Sequence, residues 1–350
     1  MSGLDGMRVV IAGAGALGAC LAFALARGGA QVTAVDPAPG ANASAVAAGM
    51  IAPVFESVLD ADTAIDFEVL RRAASLWERL AAELGIDLDR AGAMAVGGPA
   101  DLDRWAGLAA GLGAPLRRLD RDEAERRTPG LSAPAGALFT DLDVRIEPRA
   151  VLATLAKAAG APARRSTVIG WSDGGVRLAD GETLAADRLV VATGAAPGLA
   201  ELAPELAVLQ PIKGHILRAA GGPRAGAVVR MVRGYVCPSP SGAVIGASME
   251  PGRSDLDVDA QVVDRLTRQA AAAFAGLDHV GVEAEVGVRA ASPDALPLAG
   301  PSRTADVWLA GGARRNGWLL APLIAEALAA ALAGDREPEL PAAFDPRRFG

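Results

Sequence analysis

The sequence predicts a mixed α/β fold, in which a parallel-sheet nucleotide domain is interrupted by an inserted antiparallel sheet. Three observations carry that prediction. An apolar β-branched run, Val9-Val10-Ile11, passes into a glycine turn and then an Ala/Leu-rich helix. Strand followed by glycine recurs at Val190-Val191-Ala192-Thr193-Gly194 and again at Leu309-Ala310-Gly311-Gly312, so the chain returns to the domain it left. Between these returns lies a succession of short β-branched segments with hairpin signals.

In the first unit, Gly13, Gly15 and Gly18 give G-x-G-x-x-G, the helix runs from Ala16 to Arg27, and the strand Gln31 to Val35 ends at Asp36. Each position has a physical task in a Rossmann-type βαβ site. Gly13 allows the tight turn, Gly15 lets backbone approach a pyrophosphate, and Gly18 lets helix and strand pack closely. The helix N-terminus turns free N–H groups toward the phosphates. Asp36 accepts from the ribose hydroxyls, and its charge repels a 2′-phosphate. The motif gains weight from its strand–helix context, but alone it serves FAD and NAD alike, and a structural glycine turn is the plain alternative.

The 350 residues suffice for a large core and one to three domains. With 51% hydrophobic and 21% charged residues the composition is that of a globular enzyme. A net charge of −7 without a basic tract argues against nucleic acid and anionic membrane surfaces as partners. The first strand begins within about six residues, leaving no room for a signal peptide. No apolar stretch is long and unbroken enough for an integral membrane segment, so a cytoplasmic location is expected. Cys20 and Cys237 form no C-x-x-C pair and no histidine cluster accompanies them, so neither a disulfide nor a metal is expected.

Further along, Ala45 to Pro53 is rich in small residues, suited either to a flat ligand lying against backbone or to a tightly packed helix start. Asp62 to Leu84 reads as a helix with apolar positions at three and four, then Gly92 to Gly97 as a strand. Helices follow at Asp101 to Leu112 and Asp120 to Arg127, and Gly136 to Pro148 suggests a strand, a turn and a helix start at Pro148. Ser166 to Gly170 and Val176 to Leu178 read as strands around the turn Ser172 to Gly175. The inserted region offers strands at Gln210 to Ala219, Ala227 to Met231, Gly234 to Pro238, Ala243 to Ala247 and Val282 to Val288, with a helix at Asp259 to Phe274. A last helix, Trp318 to Ala333, ends at Gly334. The expected division is 1–85, 141–200 and 286–350 for the cofactor domain, with 86–140 and 201–285 for the substrate domain.

Several separate stretches together resemble the FAD-dependent D-amino acid oxidase superfamily, and within it the glycine oxidases of thiamine biosynthesis. They include Gly13-x-Gly15-x-x-Gly18 with Asp36, Ser44 with Ala47-Ala48-Gly49-Met50-Ile51-Ala52-Pro53, and Asp143-x-x-Ile146-x-Pro148. They continue with Ala192-Thr193-Gly194-Ala195, Pro211-Ile212-Lys213-Gly214, Tyr235-Val236-x-Pro238 and Gly287-Val288-Arg289, and end on Gly312-x-x-Arg315-Asn316-Gly317. The resemblance spans Arg8 to Gly334.

It implies a non-covalent FAD held by Gly13, Gly15, Ala16, Leu17, Gly18, Asp36, Ser44, Ala48, Gly49 and Met50, with Val168 offering backbone to the adenine. It adds Thr193, Gly194, Gly312, Asn316, Gly317, Trp318 and Leu319, the last three opening a helix that faces the flavin. Arg289 is implied as the fork that clamps a substrate carboxylate, Tyr235 as a second contact to that carboxylate, and Arg315 as a neighbour of flavin and substrate. The implied reaction is oxidation of a small amino acid or amine, with the flavin taking a hydride and O₂ or a quinone taking the electrons. A homo-oligomer is implied as well.

The sequence departs from the family in having Ala313 and Arg314 where a histidine and an aromatic are usual, His215 for glutamine, and Asp36 for the frequent glutamate. The first change removes a ring and adds a charge, which opens the substrate range to larger or acid-bearing amines. An NAD-dependent dehydrogenase is disfavoured by the two returns to the nucleotide domain, and a flavoprotein without turnover is the third possibility.

Overall fold

The computed structural model describes residues 3–60, 64–160, 163–172, 175–196, 198–335 and 340–349. Its first sheet has five strands in the order Leu298–Pro301, Val307–Gly311, Arg188–Val191, Arg8–Ala12 and Gln31–Val35. Every pairing is parallel except the edge pair Leu298–Pro301 with Val307–Gly311. The strand order reverses beside Arg8–Ala12, the switch point at which open α/β sheets bind ligands.

Alternation along Arg8–Ala12 shows why this sheet is buried on both faces. Val9 and Ile11 pack with the helices Ala16–Arg27, Phe67–Leu84 and Gly317–Leu332. Val10 and Ala12 pack on the opposite side against Val168, Val176 and Leu178 of a three-stranded antiparallel sheet, Val168–Ser172, Gly175–Leu178 and Thr183–Ala185. A run with no polar position is what a doubly covered strand requires. Trp77 ties two of the helices together, its Nε1 donating to the carbonyl of Trp318 at 2.8 Å.

The second sheet has nine strands. Its middle runs Val228–Met231, Gly234–Ser239, Gly242–Gly246, Gln210–Ala219 and Val282–Ala291, all antiparallel. Beyond Val228–Met231 come Ala93–Val96, paired parallel, then Ala137–Thr140 and Arg117–Leu119. One face packs on the helix Ala260–Ala273 through Val229, Val236, Ile245 and Leu217. The other, carrying Val228, Tyr235, Val244 and Ile216, packs on Pro53–Leu59 and Pro99–Leu112.

Several boundaries differ from the sequence reading. Strand Val282–Ala291 continues past Val288 and keeps its ladder through Arg289, so the division drawn at residue 286 falls inside a strand. The helix expected from Asp62 is helical from Phe67; Asp62 lies outside the described residues, as do Asp173 and Gly174 of the predicted turn. The helix Pro53–Leu59 was not expected: at seven residues it is too short for the spacing of Val54, Phe55, Val58 and Leu59 to mark it. Its start is set from a distance: the two oxygens of Asp143 accept the N–H groups of Val54 and Phe55 at 2.9 and 3.1 Å. The short strands Met50–Ile51, Arg117–Leu119, Thr183–Ala185 and Leu298–Pro301 are further additions.

Candidate active site

The glycine turn sits at the end of Arg8–Ala12. Gly13 has φ +104°, and a Cβ there would lie 2.4 Å from the carbonyl oxygen of Ala192. A Cβ on Gly18 would lie 2.0 Å from the carbonyl oxygen of Gly13, so helix and turn touch through backbone alone. Gly15 precedes a helix that it does not cap, and the Ala16 N–H donates instead to Ser44 Oγ at 2.9 Å. Leu17 belongs to that same first turn. Asp36 is buried, its oxygens accepting from the N–H groups of Ala14 and Ala38, both at 2.8 Å. The next segment over, which leads to Val168, bonds across this point, with the Asp36 N–H donating to the Arg164 carbonyl at 2.9 Å.

The other two turns lie on the neighbouring strands. Thr193 and Gly194 (φ +62°) follow Arg188–Val191, and the Ala192 N–H reaches the carbonyl of Ala12 at 2.7 Å. Gly312 (φ +69°) follows Val307–Gly311, and Asn316 then heads the helix Gly317–Leu332, which opens with Trp318 and Leu319. Asn316 caps nothing with its side chain, and its Oδ1 is buried with no hydrogen-bond partner among the described residues. Trp318 Nε1 donates to the carbonyl of Ser44 at 3.0 Å, locking the first and last turns together.

Between the two sheets lies a cavity of about 430 Å³. Ala48, Gly49, Met50, Arg315, Asn316 and Trp318 line it from the nucleotide side, and Tyr235 and Arg289 from the other. Gly13, Gly15, Gly18, Asp36, Val168, Thr193, Gly194, Gly312 and Leu319 are absent from that lining and stay along the sheet edge. Gly49 has φ +76° and no room for a Cβ, which would sit 2.1 Å from the carbonyl oxygen of Ile146.

Arg289 and Tyr235 lie over a floor cleared by glycine. A Cβ on Gly214, one strand from Arg289, would come within 2.2 Å of its Nη1. A Cβ on Gly246, paired directly with Tyr235, would come within 2.1 Å of its hydroxyl. The Arg289 guanidinium meets no carboxylate among the described residues; its Nη1 contacts are the Ser248 carbonyl at 3.3 Å and Met249 Sδ at 3.6 Å. Burial lowers its pKa, the Tyr235 ring opposing that and Arg315 and Arg314 adding to it, yet a guanidinium stays charged. Burial likewise pushes the Tyr235 phenol up, so it remains a donor, and it has no protein hydrogen bond among the described residues.

Beside them sits a buried ion cluster. Glu56 Oε1 meets Arg230 at 2.9 Å and Arg315 at 3.2 Å. Arg315 reaches on to Asp60 at 3.7 Å, and Arg314 also pairs with Asp60. Burial alone raises the Glu56 carboxyl, but Arg315 and Arg230 outweigh it and hold it below the ordinary carboxylate range. Arg315 is correspondingly raised, chiefly by Glu56. The added charge of Arg314 is thus spent on Asp60, and Ala313 is buried. His215 is buried too, Nδ1 against Glu250 at 2.9 Å and Nε2 accepting from the Asp259 N–H at 3.0 Å. A larger cavity of about 730 Å³ runs among the helices Ala16–Arg27, Phe67–Leu84 and Gly317–Leu332. Its charges are mutually paired, Arg27 with Glu83 and Arg79 with Glu326, and it holds no convergent free group of the kind found here.

The sequence pattern of the FAD dependent oxidoreductase family matches residues 8–331. The chain belongs to that family. It is 30% identical over 342 residues to glycine oxidase from Geobacillus kaustophilus, covering 90% of each chain. The crystal structure of that organism's glycine oxidase superposes with a TM-score of 0.86 at 28% identity, covering 98% of this chain and 100% of that one. Iminodiacetate oxidase from Chelativorans sp. BNC1 superposes at 0.84 with 27% identity, covering 97% and 99%. The bifunctional protein MnmC of tRNA 5-methylaminomethyl-2-thiouridine biosynthesis from Caulobacter vibrioides is 33% identical over 337 residues, 93% of this chain. The chain spans about half, 54%, of that relative's length.

As a member of the FAD dependent oxidoreductase family, the protein uses FAD, and the turns described above fit that group. Three backbone-lined turns stand at one sheet edge, and the Gly317–Leu332 helix presents an uncapped N-terminus with the orphaned Asn316 Oδ1 beside it. Among the described residues no helix is long and apolar enough to cross a membrane, and no three metal-ligating side chains converge. Sequence reasoning missed Glu56, Asp60 and Arg230. A signal existed for one of them: Arg230 interrupts Val228-Val229-Arg230-Met231, a buried strand in which an arginine needs a partner.

Proposed function

We propose that this FAD dependent oxidoreductase oxidises a small amino acid or amine, with glycine, sarcosine and small D-amino acids as the core candidates. The balanced reaction is amino acid, O₂ and water giving the 2-oxo acid, ammonia and H₂O₂. The observation that carries the reading is Arg289: a guanidinium facing the cavity with no acid of its own among the described residues, beside a phenol with no protein partner. That pair suits a carboxylate taken up from solution.

Bound FAD supplies the acceptor for the hydride equivalent that leaves the substrate carbon. The protein's share is binding and orientation. Arg289 grips the carboxylate by its planar fork and Tyr235 donates a hydrogen bond to it. Arg315 is held at the cavity wall by Glu56 and Asp60, where its charge favours negative charge developing nearby. Ala48, Met50 and Trp318 give the nucleotide side of the cavity an apolar share of its lining. The residues assigned above to FAD and to the substrate are part of this proposal.

The similarity to glycine oxidase and to iminodiacetate oxidase supports an amine of this kind, since those proteins' names give such substrates. The test mixes purified holoenzyme with glycine, sarcosine and small D-amino acids and follows flavin bleaching without oxygen, then peroxide on its readmission. Bleaching with stoichiometric H₂O₂ is expected. Bleaching with dye or quinone reduction but no peroxide would make the protein a dehydrogenase, and no bleaching by any amine would end the proposal.

A further inference from the structure

We infer that the substrate carries two acidic groups: one carboxylate on Arg289, and a second anionic group held against Arg230 and Arg233, four strands away on the same sheet. This rests on the amine-oxidising reading above and names its substrate class.

The register of the large sheet sets out the two anchors. Arg230 pairs with Tyr235, Tyr235 with Gly246, Gly246 with Ile216, and the strand of Ile216 with that of Arg289. Four strand spacings, roughly 19 Å, separate the two backbones across the sheet, and Arg289, which pairs with Ile212, stands four residues further along its strand. Both side chains line the same cavity, as does Tyr235. Two long arms reaching inward leave a gap suited to a short molecule charged at both ends.

Charge accounting points the same way. Among the described residues six arginines line the cavity, and Glu56 is the only carboxylate that does. Glu56 is shared by Arg230 and Arg315, whereas Arg233 and Arg265 meet no acid among the described residues, and neither does Arg289. The remaining terminal nitrogen of Arg230 has only the Met50 thioether, at 3.6 Å. The nearby carboxyl of Asp143 is occupied by the Val54 and Phe55 N–H groups. In a chain of net charge −7, so much uncompensated positive charge in one cavity is a local construction. The pyrophosphate does not account for it, because none of Gly13, Gly15 and Gly18 lines this cavity. One substrate carboxylate on Arg289 leaves exposed Arg233 without an acid and one terminal nitrogen of Arg230, whose other is on Glu56, free to take a second anion.

The experiment compares matched pairs in which only the second acid differs. On holoenzyme, iminodiacetate is set against sarcosine and D-aspartate against D-alanine, which also tells an acid on the nitrogen from an acid on the side chain. At least one diacid should exceed its monoacid partner in kcat/KM by about 10-fold or more, the worth of a hydrogen bond to a charged group. Arg233→Ala, at an exposed position, and Arg230→Met should each shrink that ratio; Arg230→Lys keeps the charge and should restore part of it, and flavin content reports folding. Monoacids turned over as well as both diacids would overturn this inference and leave the oxidase reading standing. A second arm needs no turnover: calorimetric titration with diglycolate and methoxyacetate, redox-inert ethers of the first pair. Diglycolate should bind at least about 10-fold tighter in the parent and lose that advantage in Arg233→Ala. Equal binding overturns the inference even if no amine reduces the flavin.

Discussion

The two halves of the site use glycine for opposite ends. At the nucleotide edge, Gly13 and Gly18 remove side chains so that backbone can touch backbone, and a Cβ on either meets a carbonyl oxygen at 2.4 or 2.0 Å. On the large sheet, Gly214 and Gly246 remove side chains so that a neighbour's side chain can lie flat, and a Cβ there meets the ends of Arg289 and Tyr235. The first pair shapes the main chain that a cofactor meets; the second aims the two groups assigned to the substrate. Substitutions at the two places should therefore fail differently.

The largest effect is expected at the aimed group itself. Arg289→Met should lower kcat/KM by roughly 10²–10³-fold or more, the cost of truncating one partner of a buried charged pair, while the flavin spectrum persists. Steady-state kinetics and absorbance on one sample check both halves. Gly214→Ala comes next: its Cβ displaces only the guanidinium tip, and a shift of about 1 Å at such a group is worth on the order of 10²-fold in rate. Flavin content and denaturation midpoint should stay near the parent's. If Gly214→Ala loses FAD as readily as activity, the contrast drawn here collapses.

Gly18→Ala should do the reverse. Overpacking a helix against fixed backbone costs about 1–3 kcal/mol, so the urea midpoint should fall and FAD should dissociate more readily in equilibrium dialysis. Whatever flavin remains should turn over with a near-normal KM. A raised KM with full flavin would place Gly18 in the wrong half.

The smallest effect concerns Asp143, which positions the Glu56 helix. Burial pushes its carboxyl up to about 7, although two backbone N–H groups favour its charge. Because the folded value is raised, its stabilising contribution is full at low pH and is lost as pH climbs through 7. The stability of the parent relative to Asp143→Asn should accordingly fall between about pH 5 and pH 8, by on the order of 1–2 kcal/mol. Urea midpoints across that range test it, and a pH-independent difference would show that the carboxylate stays ionised.

What could be read from the chain divides along the same line. The nucleotide edge is local: strand, glycine turn and helix are contiguous, so Gly13 to Asp36 announces itself within thirty residues. Arg289 and Tyr235 were assigned through resemblance alone, since an arginine ending a strand has no local mark. Glu56 and Arg230 escaped altogether. The helix that delivers Glu56 is begun by Asp143, 89 residues away, and no spacing rule in Pro53–Leu59 records that. The strand Val282–Ala291 was cut short at Val288 because the polar Arg289 looked like its end, whereas a facing strand ten residues long carries it through.

That ladder has a consequence for how the enzyme is made. Ten consecutive rungs join Gln210–Ala219 to Val282–Ala291, and a slip of one rung turns every side chain to the far surface. A one-rung register error therefore puts Arg289 on the wrong face altogether rather than slightly displacing it. Activity per bound flavin then counts correctly zipped copies, and a poor preparation should show fewer working molecules rather than slower ones.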